Sequence, residues 1–329
     1  MSYPSQPLIA VLGATGAQGG AVARALLEDG RFAVRALTRH PHTAPAQALR
    51  RLGAEVMHAD LDQPATLRRA FAGTQGLFAV TSYWEYHSPA VELHQAEHIA
   101  EAALAARVPH VVWSTQEDTR RWVPLEDEQL PTLQRCWKVP HFDAKGAADE
   151  LFRRRGVPTT LLVPALFWDK LMPFGVQPQR NAAGALVLQL PMGERALPGM
   201  SVSDIGPIVR ALLQDPQRWV GRRLGVAGAH LSGAAMAAAL SRALGEHVQH
   251  QSPGFAEVAA RPLPGSAALA NMFQFLHDFN DEVLAMRPIA QARELHPSLL
   301  GFEAWLALNR HRLRVERRAA AYEAGLLVH

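Results

Sequence analysis

Residues 8–20 read Leu-Ile-Ala-Val-Leu-Gly-Ala-Thr-Gly-Ala-Gln-Gly-Gly. Leu8 to Leu12 is an apolar run of strand length, and the Ala-rich stretch from Ala17 to Asp29 carries helical periodicity, so a tight turn beginning at Gly13 joins them. Gly13, Gly16 and Gly19 occupy the first, fourth and seventh positions of that turn. The first glycine permits a sharp bend, the second lets the backbone approach a pyrophosphate, and the third lets the helix pack close to the strand. The helix N-terminus then presents free N–H groups to an anion. A glycine triplet alone is equally consistent with a structural turn. Between a strand and a helix it predicts a dinucleotide site.

The strand–helix unit repeats. Ala33 to Leu37 precedes Pro45 to Leu52, Ala54 to His58 precedes Pro64 to Ala72, and Gly76 to Val80 precedes Pro89 to Arg107. His110 to Trp113 and Thr159 to Val163 read as further strands, with a helix from His141 to Arg155 between them. Strands alternating with helices of this length predict a parallel sheet covered on both faces. The fold class is therefore α/β, a Rossmann doubly wound parallel sheet with a smaller C-terminal α+β domain. We place the first domain at residues 1–165, its sheet completed by later segments, and the second at 166–329, where a ligand or partner would bind. Gln116 to Pro140 reads as an irregular insertion. In the second domain, Ala185 to Leu190 followed by Gly193 reads as a hairpin, and helices are expected near 207–214 and 232–244.

Composition narrows the classes. Of 329 residues, 48% are hydrophobic and 19% charged, with 24 Gly and 23 Pro, which excludes collagen-like and disordered chains. A net charge of +3 offers no strong field for nucleic acid. Cys136 is the single cysteine, so no internal disulfide can form, and the N-terminal apolar run Leu8 to Leu12 is too brief for a signal peptide or membrane span. A cytoplasmic protein without nucleic-acid or membrane partners is expected. The basic residues are thirty Arg against three Lys: Lys138, Lys145 and Lys170. Arg310, Arg314, Arg317 and Arg318 have helical spacing and read as a solvated basic face.

The end of the second strand selects the cofactor. An NAD-preferring site places Asp or Glu about twenty residues past the turn to hold the ribose hydroxyls. Here Thr38-Arg39 stands in that place, with no acid between Arg31 and Pro45. A guanidinium holds a 2′-phosphate bidentately, so NADP(H) is the expected cofactor. Asp60 and Asp62, after the third strand, are placed beside the adenine.

GATGAQGG (13–20), LLEDGRFAVRALTR (26–39), VTSYWE (80–85), HFDAKG (141–146), GMSVSDIGP (199–207) and LANMFQF (269–275) together resemble the NmrA-like proteins. These are atypical short-chain dehydrogenase/reductase relatives, and the likeness is closest to their redox-sensor branch. The resemblance implies a Rossmann domain binding NADP(H), a homodimer, and a sensor of the NADPH/NADP ratio acting through a regulatory protein partner. By position it implies that Gly13, Thr15, Gly16, Gln18 and Gly19 form the phosphate turn and that Arg39 reads the 2′-phosphate. It further places Thr81 and Ser82 over the cofactor, Lys145 at the nicotinamide ribose, and Pro164 to Phe167 beside the nicotinamide. The family usually adds a lysine after the arginine, whereas this chain reads His40-Pro41-His42-Thr43. One of those histidines could replace the second cation.

Short-chain reductases place a Tyr four residues before a Lys whose charge acidifies the phenol, with a Ser polarising the carbonyl. This chain keeps the spacing, but the Tyr position is His141, with Lys145 and Ser114 as the other candidates for catalysis. Lys145 would lower the imidazole pKa and leave a poor proton donor. No HExxH, paired-cysteine or GxSxG spacing is present, so neither a metal site nor a serine nucleophile is expected. Two functions stay open: an NADP(H)-responsive regulatory protein and an NADPH-dependent reductase of quinones or small carbonyls.

Overall fold

The alternation of strands and helices is realised in the computed structural model, which describes residues 6–171 and 177–313. Strands β1 (Leu8–Val11), β2 (Ala33–Thr38), β3 (Glu55–His58), β4 (Gly76–Ala79), β5 (Val111–Ser114) and β6 (Thr159–Pro164) lie in one parallel sheet in the order β3-β2-β1-β4-β5-β6. The later strand Arg223–Val226 adds parallel to β6 and completes seven strands. Strand order reverses between β1, which pairs with β2 through Leu8↔Ala33, and β4, which pairs with β1 through Ile9↔Gly76. In such sheets the crevice at that switch point, beyond the carboxyl ends of the strands, is where ligands bind.

The helices α1 (Ala17–Asp29), α2 (Ala44–Arg51), α3 (Pro64–Phe71), α4 (Tyr83–Tyr86), α5 (Pro89–Ala105) and α6 (Pro140–Arg154) intervene between the strands. Proline opens α2, α3, α5 and α6, where its missing N–H leaves no bond unmade. Alternate residues of each strand face opposite cores. Ile9, Val11, Phe78, Val112 and Leu162 pack with α1 and the later helix Ile205–Gln214, while Ala10, Leu12, Leu77, Ala79, Val111 and Trp113 pack with α3, α5 and α6.

A third core, around Trp168, Leu188, Met272, Phe275 and Trp305, fills the C-terminal region. The hairpin expected to turn at Gly193 is not formed. Leu186–Gln189 instead pairs antiparallel with Gln179–Arg180 and parallel with Val248–Gln251. Ala196–Met200 belongs to another sheet, with Ala229–Ser232 and Leu166–Phe167. The stretch 185–190 does contain a strand, but a local hairpin pattern could not reveal that one partner lies some sixty residues away. The expected helices appear as Ile205–Gln214 and Gly233–Leu244. Arg310 begins a short 3-10 turn, Arg310–Arg312, and Arg314, Arg317 and Arg318 lie outside the described residues.

Candidate dinucleotide site

The glycine turn has the geometry that its sequence requires. Gly13 adopts φ +61°, the left-handed region, and the Gly16 amide donates to the Gly13 carbonyl at 2.8 Å. A Cβ at Gly19 would lie 2.4 Å from the carbonyl oxygens of both Leu12 and Gly13, so only glycine lets α1 approach β1 this closely. No side chain caps α1 at Gly16, and the first amides of a helix have no partner within it. Thr15 and Thr38 hydroxyls meet at 3.2 Å, bridging the turn to the end of β2. Ser114 is buried at the end of β5, and its hydroxyl donates to Gln18 Oε1 at 2.8 Å.

Arg39 follows β2 directly and is paired with Glu85 of α4. It also lines an open pocket of about 370 Å³ with His40, Pro41, His42 and Thr43. Asp60 spends its carboxylate on the Asp62 amide and the Gln63 side chain, each at 3.0 Å. Asp62 accepts from Gln95 Nε2 at 3.0 Å and from the Tyr86 hydroxyl at 3.2 Å. Ser82 is exposed, whereas Thr81 is buried.

Thr81 leads to the second half of the site. Lys145 Nζ donates to the Thr81 carbonyl at 3.0 Å and to its hydroxyl at 2.9 Å, and forms an ion pair at 2.9 Å with Glu92 of α5. The same Glu92 oxygen accepts the Thr81 hydroxyl at 2.6 Å. The Glu92 side chain is 2% exposed and that of Lys145 13%, so the pair is largely withdrawn from water. Glu92 Oε2 is buried without a hydrogen-bond partner among the described residues. Trp113 places its ring 5.3 Å from the ammonium.

His141 lies one turn before Lys145 on α6 and is sealed. Trp84 and Phe142 rings pack against it at 4.8 and 4.9 Å, Met272 Sδ is 3.4 Å from Nε2, and Nδ1 has no partner among the described residues. Burial and, second to it, the neighbouring Lys145 push its pKa down to about 3. The direction agrees with the sequence argument, but burial is the larger cause. Pro164 carries its carbonyl to Gln116 Nε2 at 3.1 Å, and Phe167 is packed in the core under the sheet.

Thus the turn, Ser114 and Arg39 gather at the strand ends, and Lys145, Thr81 and His141 form a neighbouring cluster. Sequence reasoning missed both acids, Glu85 and Glu92. A signal existed for Glu92, which sits on the buried stripe of α5 with Gln95, Ala96, Ile99 and Ala103. Among the described residues no group of three or more His, Cys, Asp or Glu is placed to hold a metal, and no helix is long and apolar enough to cross a membrane.

This sheet order with this glycine turn defines a doubly wound scaffold of the Rossmann type. The model of the NmrA-like family matches residues 5–306, and the chain belongs to that family. It is 32% identical over 229 residues to hkm9 of Aspergillus hancockii, an NmrA-like family domain-containing oxidoreductase. The match covers 65% of this chain and 65% of that relative, a little under two thirds of its length. Among solved structures, the negative transcriptional regulator NmrA in complex with NAD is similar at a TM-score of 0.75 and 21% identity, over 92% of this chain and 95% of that one. The Citrobacter triphenylmethane reductase complexed with NADP(H) gives 0.70 and 19%, over 92% and 99%.

Proposed function

We propose that this chain binds NADP(H) through the Gly13–Gly19 turn and Arg39, and that it acts as a regulatory protein responding to the NADPH/NADP ratio through a partner protein. The residues suit such a ligand: a left-handed Gly13, a helix N-terminus that Gly19 brings against β1, and a guanidinium at the end of β2. Gln18, Thr15 and Ser114 would line the phosphates. Lys145, Thr81, Ser82 and the Pro164–Phe167 segment would face the nicotinamide half, and Asp60 and Asp62 the adenine.

The regulatory reading rests on His141. A ring that stays neutral, buried and without a partner at Nδ1 supplies no proton to a carbonyl oxygen, and the charge that would acidify a phenol there is already balanced by Glu92. Nicotinamide dinucleotides supply hydride chemistry when bound, but these side chains provide no matching acid. The test is a titration with NADPH, NADP+ and NADH, together with an assay of NADPH oxidation over a panel of quinones and aldehydes. Binding that differs between NADPH and NADP+ without turnover is expected, and robust turnover would overturn the reading. Size-exclusion chromatography with light scattering tests the homodimer.

A reductase of quinones or small carbonyls is the second reading. Its support is the family itself, since the relative hkm9 carries the oxidoreductase name and hydride transfer to a quinone asks little of a protein acid.

A further inference from the structure

Arg39, the proposed reader of the 2′-phosphate, already has an anion. Its Nη1 donates to Glu85 Oε1, contributed by α4 from 46 positions along the chain. A carboxylate and a phosphate engage a guanidinium in the same manner, through oxygens that accept from its planar fork. The two side chains are 42% and 39% exposed, so an incoming ligand can reach the pair. The turn that carries Glu85 is also fixed nearby. The Tyr86 hydroxyl donates to Asp62, His87 closes the helix with φ +50°, and Trp84 packs on His141. The backbone that carries Glu85 is therefore held beside Arg39, so its carboxylate stays within side-chain reach of the guanidinium.

We propose that Glu85 is a specificity-determining residue whose carboxylate competes with the 2′-phosphate for Arg39 and so narrows the preference for NADP(H) over NAD(H). This rests on the dinucleotide reading above. NAD(H) carries a 2′-hydroxyl, which leaves the ion pair intact. NADP(H) carries a phosphate that must displace the carboxylate and then sit beside it as a like charge. A position that holds Arg39 without a following lysine thus has its one fixed cation balanced in advance.

The experiment is calorimetric titration of the full-length protein and of Glu85→Gln with NADP+ and NAD+, and with adenosine 2′,5′-bisphosphate and ADP as probes of the adenosine end alone. In the variant, affinity for NADP+ and for the bisphosphate should rise about fivefold, the upper end of what an exposed ion pair is worth, while NAD+ and ADP stay within about twofold. Glu85→Ala should reproduce the shift, and circular dichroism verifies that each variant is folded. A ratio of NADP+ to NAD+ affinity that is unchanged in both variants, or a rise shared equally by all four ligands, overturns the role of Glu85 while leaving the site intact. A wild-type protein that binds none of the four overturns the dinucleotide reading and, with it, this one.

Discussion

Lys145→Met tests whether the ammonium of the candidate site is first of all half of a buried pair. Its partner Glu92 is 2% exposed, and one of its oxygens already lacks a hydrogen bond. Removing the lysine leaves that carboxylate with only the Thr81 hydroxyl, at 2.6 Å, to compensate a buried charge. Breaking a buried pair from one side costs about 3–5 kcal/mol, and the 13% exposure of Lys145 places the loss near the lower end, about 3 kcal/mol. In the double variant Lys145→Met/Glu92→Gln no charge remains, and the amide can still accept from Thr81. Most of the loss should then return, giving a coupling of about 2 kcal/mol, well beyond the roughly 0.5 kcal/mol within which independent sites add. Thermal unfolding reads the difference, at about 2–4 °C per kcal/mol for chains approaching this size. Losses that simply add would refute the pairing. The cycle also governs any kinetic test, because lost turnover in a Lys145 variant is informative only when measured beside the charge-balanced double variant.

Arg39→Gln should weaken NADP+ binding by about 1.5–3 kcal/mol while leaving NAD+ nearly untouched, and equal losses in titration would remove Arg39 as the phosphate reader. Gly19→Ala forces a Cβ to 2.4 Å from two backbone oxygens, so it should lower stability by about 1–3 kcal/mol and abolish dinucleotide binding; an unchanged melting curve with intact binding would contradict the close approach of α1 to β1. His110, buried against the Thr160 hydroxyl, has its pKa pushed from 6.5 down to about 4 by burial, so its contribution is complete above pH 6.5 and is lost as pH falls toward 4. His141, with its pKa also pushed down by burial, titrates in the same sense, so the His110 share is the difference in melting-temperature slope between wild type and His110→Gln: on the order of 2 kcal/mol between pH 7 and 5, and equal slopes would count against it. His141→Tyr restores the reductase spacing but not the reductase electrostatics, because Glu92 neutralises Lys145; no gain in NADPH-dependent carbonyl reduction is expected, and appreciable turnover would show that the pair opens on binding.

The fold was legible because its signals are local. Each strand run, each helix-opening proline and the spacing of Gly13, Gly16 and Gly19 can be read within a dozen residues, and the structure places them accordingly. Arg39 and Lys145 stood out for the same reason, as cations at positions singled out by local spacing. Their counter-ions were not, since Glu85 and Glu92 reach them across 46 and 53 positions that only the folded sheet brings together. The C-terminal sheets failed similarly: Leu186–Gln189 was recognisable as a strand, but its parallel partner Val248–Gln251 was not.

One global signal partly crosses that gap. In a chain with thirty Arg and three Lys, both lysines whose side chains are described prove to be enclosed rather than solvated. Lys138, fully buried, directs its ammonium to the carbonyls of Leu125, Asp127 and Leu130, and so orders the insertion that the sequence could describe only as irregular. Lys145 directs its own to Thr81 and Glu92. A compact ammonium with three donors can be satisfied in a small cup of oxygens, whereas a planar guanidinium brings five donors and would leave some of them buried and unmade. Arg287, 2% exposed and paired with Glu117 at 2.7 Å, shows the contrast, since its Nε is buried without a partner among the described residues. Both described lysines are likewise enclosed, which is why Lys145 must be weighed as part of the structure before it is weighed as part of the chemistry.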